Sequence, residues 1–242
     1  MISLGRLISA TPIPVIGKIK FHQSTVGQIL DMSETTYWSL IKVWDLKRTD
    51  MIPQETSETE TLTDFQAWCA LINNVPDFRG RVIASVHCFL HTKIEFLPIS
   101  NTIMIGENDS LILLDEAFYY SMQEICQSIS QLGTEEKEEQ FQEHDNMTEM
   151  EKRLIAKMKA NAEKIERIKN GDKGVEDRLV KQVISLVAIG NHTFEQVCNM
   201  TIIQMISLLK KHVEIQQYEL YTSLSPYMDS KKSQGVKHWL DT

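Results

Sequence analysis

His87-Cys88-Phe-Leu-His91 is the place in this chain where metal-ligating residue types cluster. Two imidazoles four residues apart share a helix face and can reach one divalent cation between them. A working site needs three or four ligands and outer groups that orient them. No HExxH accompanies the pair and no second ligand pair stands out. The expected reading is therefore two histidines at the edge of a core, and no metal. Cys69, Cys88, Cys126 and Cys198 form no CxxC pair, and each lies in an apolar helical stretch. They read as small buried hydrophobes in a reducing compartment. Gly171-Asp-Lys-Gly174 lacks the spacing of a phosphate loop and follows no strand, so it reads as a turn between helices. No Gly-x-Ser-x-Gly nucleophile elbow is present. The expectation is a protein without catalytic residues, cofactor or metal, hence not an enzyme.

Composition bears on partners. The chain has 242 residues and a net charge of −8, with 42% hydrophobic residues. That supports a core in one large or two small domains. Nucleic-acid affinity comes mainly from clustered Lys and Arg. Here the basic residues sit among acids, as in Glu151-Lys-Arg153 and Lys164-Ile-Glu-Arg167. This is the pattern of a solvated helix face, and no nucleic-acid partner is expected. Pro12 and Pro14 interrupt the place where a signal peptide needs an apolar core. No apolar run approaches the ~20 residues that span a bilayer. A cytosolic location without membrane contact is expected.

These residues must be positioned by elements, and the periodicity suggests which. Residues 1–23 read as extended, with Ile19 and Phe21 alternating with Lys18, Lys20 and His22. A helix should run from a cap at Ser24 or Thr25 to Met32, and another from Ser33 through Trp44. Residues 47–60 read as a surface loop. Thr63 or Asp64 should cap a helix to Asn73, and Pro76 should open the next, over 77–92. Strand-like runs follow at 93–97, 102–105 and 111–114, the last two flanking the turn signal Gly106-Glu-Asn-Asp109. A helix over 116–131 should bury Phe118, Tyr119, Met122, Ile125 and Ile129.

Near residue 132 the grammar changes. Thr134 to Asp145 is an acidic run, and helical patterns alone follow it. The expected class is α+β. A mixed N-terminal domain (1–132) with a small β hairpin or sheet precedes an acidic linker (133–146) and an all-α C-terminal domain (147–242). In the latter, 147–170 reads as a charged helix with a thin stripe of Leu154, Ile155, Met158, Ala162, Ile165 and Ile168. It suits a coiled-coil arm as well as a helix lying on its own domain. Helix 175–189 is far more apolar. Thr193 with Gln196 makes a capping box, and Asn199 or Thr201 restarts the chain into a helix over 202–223. Trp239, close to the last residue, reads as an anchor on the chain's own surface or a hook for a partner.

Two stretches carry a resemblance. One is Val183-Ile-Ser-Leu-Val-Ala-Ile-Gly-Asn-His-Thr-Phe-Glu-Gln-Val-Cys-Asn-Met-Thr-Ile-Ile-Gln-Met205, with the closing Val236-Lys-His-Trp-Leu-Asp241. The other is Ile103-Met-Ile-Gly106, a turn, Leu111-Ile-Leu-Leu-Asp115 and the aromatic helix from Phe118. Together they resemble tail assembly chaperones and related tail-morphogenesis proteins of long-tailed phages of Gram-positive bacteria. The acidic run and helix 147–170 have no counterpart in that likeness. The resemblance implies a non-enzymatic protein in the host cytoplasm. It would keep the tape-measure protein soluble until tail-tube protein polymerises around it. The alternative is a structural or tail-completion component retained in the virion. Residues 179–189 and 202–220 are apolar over more than one stripe, more than a two-helix hairpin hides by itself. Under the chaperone reading Phe194, Met200 and Ile203, at the corner between those helices, are expected partner contacts, with Trp239. The plainer reading has the corner residues simply stapling the corner.

Overall fold

The computed structural model describes residues 2–52, 61–97, 102–106, 111–134, 176–190 and 192–224. Helices dominate them, with two small antiparallel sheets. In chain order the elements are α1 (Leu4–Ile8), β1 (Ile13–Pro14), β2 (Lys20–Phe21), α2 (Val26–Met32), α3 (Glu34–Lys42), α4 (Arg48–Met51), α5 (Asp64–Asn74) and α6 (Pro76–Leu90). There follow β3 (Ile94–Leu97), β4 (Thr102–Ile105), β5 (Ile112–Leu113), α7 (Glu116–Thr134), α8 (Glu176–Gly190), α9 (Phe194–Cys198) and α10 (Ile202–Leu224). Gly133 and Thr134, the first residues of the expected acidic linker, close α7; the rest of that linker, the charged helix 147–170 and Trp239 lie outside the described residues.

Helix starts follow one local rule. Thr25, Thr63, Thr193 and Thr201 each accept from the backbone N–H of a glutamine three residues on, whose side chain accepts from the threonine N–H. Two of the amides left without a helical partner are thereby satisfied at each start. Pro76 takes the first position of α6, where its missing N–H costs nothing. The sheets follow alternation. β3 and β4 pair antiparallel with Ile94 opposite Ile105 and Phe96 opposite Ile103. β5 adds to β4 with Ile105 opposite Ile112. Ile103 and Ile105 are thus turned into the core.

Two local expectations are corrected. The first residues are not wholly extended, because Leu4–Ile8 is helical and buries Leu7 against the core. Arg48–Met51 is a helical turn rather than loop. Its first amides are met by carboxylates: Lys47 N donates to Asp50 Oδ2 at 3.1 Å and Arg48 N to Asp64 Oδ1 at 2.7 Å. Hydrogen bonding rather than apolar spacing makes this turn, so a periodicity reading passes over it.

The core is built on aromatics. Trp44 and Trp68 are fully buried with ring centroids 4.9 Å apart, and Phe118 and Tyr119 close around them. The polar handles of Trp44, Trp68 and Tyr119 each have a partner. Trp44 Nε1 donates to Ser85 Oγ at 2.7 Å, and Ser85 donates on to the Leu40 carbonyl. Trp68 Nε1 donates to the Val43 carbonyl and Tyr119 to the Leu46 carbonyl.

The same core runs into the C-terminal helices. Leu179, Val183 and Leu186 of α8, Val197 of α9 and Ile202, Ile203 and Met205 of α10 are buried in it. α8 packs on α3, α9 on α2, and α10 on α1 and α7. Thr25 and Thr201 form an isolated antiparallel bridge, and Val26 N donates to the Met200 carbonyl at 2.8 Å. Gln204 Nε2 donates to the Ile8 carbonyl at 2.8 Å. The buried Glu34 carboxylate receives Trp38 Nε1 on one oxygen and the Leu179 amide on the other, both at 3.2 Å.

Candidate functional site

Two places merit weighing: the corner between α8 and α10, and the histidines at the end of α6.

The corner is fixed from beneath. A Cβ on Gly27 of α2 would lie 3.2 Å from the Cys198 carbonyl oxygen, so glycine lets α2 and α9 approach closely. This approach and the Val26–Met200 bond hold α9 down on α2. The four expected contacts fall in different environments. Ile203 is 1% exposed and belongs to the chain's own core. Met200 is half-buried and packs against that core. Phe194, at the start of α9, is 56% exposed. Trp239 lies outside the described residues. Of the three described residues, Phe194 is exposed while Met200 and Ile203 pack internally, so these three do not share one exposed surface.

α8 adds what those residues do not. One stripe, Leu179, Val183 and Leu186, faces the core. A second is turned outward: Val180 and Ile184, four apart on one face, are 40% and 51% exposed. Ile189 and, on α10, Leu208 and Val213 are further exposed apolar side chains. Val213 lies beyond Leu209, the last residue of α10 packed against the core among the described residues. The excess of apolar positions over one stripe was legible in the sequence. Which stripe faces out was not, because α3 selects the inner one.

The histidines are rearranged relative to expectation. α6 ends at Leu90, and His91 is its C-cap in the left-handed conformation, φ 50° and ψ 39°. His91 therefore leaves the face that carries His87, which is exposed on the helix. Its ring stacks instead on His22, centroids 4.3 Å apart and planes 23° apart. The lone pairs of stacked imidazoles run side by side rather than converging on a point ~2 Å from both, so the stack does not chelate. Among the described residues no group of three or more His, Cys, Asp or Glu is placed to hold a metal ion. His22 has its pKa lowered, first by burial, then by His91 and Lys20. Sequence reading missed this partner because 69 positions separate the two rings (22 and 91) and only the C-cap conformation joins them.

The Cys69, Cys88 and Cys126 thiols are not poised as nucleophiles. Burial pushes Cys69 up to about 11, and raises Cys88 and Cys126 as well. Cys88 lies 3.8 Å from Ser24 Oγ. No helix among the described residues is long and apolar enough to cross a membrane.

No family profile, curated protein or solved structure matches the chain.

Proposed function

We propose that this chain is a non-enzymatic phage tail assembly chaperone that binds the tape-measure protein, and with it tail-tube protein, in the host cytoplasm. Its helical C-terminal part, joined through the acidic 133–146 stretch to an α+β N-terminal part, is the partner-binding half. The observation that carries the binding role is the outward apolar stripe of α8, Val180 and Ile184, with Phe194 exposed on the next helix. An apolar stripe facing water suits capture of another apolar helix. A net charge of −8 favours keeping such a complex dispersed. The particular partner is suggested by the resemblance, carried mainly by the pattern of residues 183–205.

Co-expression with the tape-measure gene product of the same genome tests it. The wild-type chain should hold that product in the soluble fraction and co-purify with it. Ile184→Glu and Phe194→Ser should stay folded by circular dichroism and lose the effect. Equal solubilisation by the double variant overturns the assigned surface; no co-purification with the wild type overturns the partner. Purified virions should lack the chain. Its presence there would favour a tail or tail-completion component instead.

A further inference from the structure

The contact between the N-terminal hairpin and the end of α6 is a chain of three interactions. Phe21 stacks on Phe89 with centroids 5.0 Å apart, both fully buried. His22 N donates to the Phe89 carbonyl at 2.7 Å. Next to that bond, the His22 ring covers the His91 ring at 4.3 Å. His91 can take this position because the chain turns left-handed there, a conformation unusual for a residue other than glycine or asparagine.

We propose that His22 and His91 form an acid-sensitive clip, which fastens the β1–β2 hairpin to α6 when His22 is neutral and loosens when it takes up a proton. The neighbours of His22 that act on its charge are themselves basic. β2 contributes Lys20, and the C-cap of α6 contributes His91. β1 brings only Ile13 and Pro14. Among the described residues no carboxylate is one of the groups that act on His22. Two protonated imidazoles in this stack would be like charges at van der Waals distance.

The direction follows from linkage. The closed clip holds His22 below its ordinary value of 6.5. The open hairpin restores the ordinary value, so it binds more protons. Closure is complete above about pH 6.5 and weakens as pH falls through that value; it levels off once the closed form also protonates. One linked proton sets the steepness at no more than about tenfold in the opening equilibrium per pH unit.

The test uses the full chain. Hydrogen exchange of the His22 amide, corrected for its intrinsic rate, reads opening between pH 7.5 and 5.5, and an NMR titration reads the His22 ring. In the wild type the opening should rise several-fold on acidification while amides of α5 and α7 stay protected. His22→Phe keeps a stacked ring without a titrating group and should be flat over the same range. His91→Asn suits the left-handed cap and removes the imidazole that lowers His22; His22 should then titrate closer to 6.5, with a shallower response. An opening equilibrium independent of pH in the wild type overturns the clip. So does a response in His22→Phe equal to that of the wild type, or a His22 titration unmoved by His91→Asn. Should His22→Phe fail to fold, the His91→Asn titration still decides.

Discussion

Ser33 has φ 75° and ψ 144°, a region that side-chain-bearing residues avoid, and it sits between α2 and α3 with no residue to spare. Such a conformation costs about 1–3 kcal/mol. The serine is retained by its cap: Oγ accepts from Thr36 N at 3.3 Å and lies 2.9 Å from Thr36 Oγ1. Replacing a serine cap with glycine loses only a few tenths of a kcal/mol. Ser33→Gly should therefore raise stability by about 1 kcal/mol, read as a higher urea midpoint with unchanged slope. A lower midpoint would show that the cap outweighs the strain. Glu34, the next residue, is the opposite case. Its carboxylate is buried and joins α3 to α8 through the Leu179 amide. Glu34→Ala strands that amide and the Trp38 indole N–H, a loss of about 1–3 kcal/mol for each group left unpaired. Glu34→Gln keeps acceptor capacity on one oxygen and should fall between. Denaturant melts rank the three, and an alanine variant as stable as wild type would remove the role given to this carboxylate.

α8 shows how one helix serves two environments. Leu186 and Ile184 are two positions apart in sequence and nearly opposite in exposure, at 2% and 51%. Leu186→Ala should cost about 2–5 kcal/mol, the loss for a buried leucine that leaves a cavity. Ile184→Ala, at an exposed position, should stay within about 0.5 kcal/mol. If chemical melts give the two equal costs, Ile184 is covered in solution. On α10, Ile203→Glu should unfold the protein, because its site is dry and holds no partner for a charge. Folded Ile203→Glu protein by circular dichroism would return that residue to the surface.

At the scale of the molecule, α8, α9 and α10 add their apolar faces to the core that Trp44 and Trp68 anchor. Hydrogen bonds cross from residues 8, 26 and 34 to residues 204, 200 and 179. A protease site engineered into 134–145 should therefore yield two pieces that stay together. After cleavage they should co-elute on size exclusion and melt in one transition. Two independently folded, separating fragments would establish that each part is a domain that folds on its own.

Much of the local structure needed only the sequence. Caps at Thr25, Thr63, Thr193 and Thr201, the proline start of α6 and the inward face of α7 are decided within a few residues. They rest on which backbone amides find an acceptor and on the spacing of apolar side chains. The exchange from alternating strands to helices is local for the same reason. Tertiary structure decided the rest. α8 offers two apolar stripes, and nothing nearby in sequence chooses between them; α3 and the Glu34 carboxylate, 145 positions from Leu179, make the choice. Ile203 was a surface contact or a core residue until α10 met α1 and α7. His91 found His22 because α6 ends in a left-handed turn. Local signals fix what an element is. Which side of it meets water depends on what lies across the core, and that partner comes from a distant part of the chain.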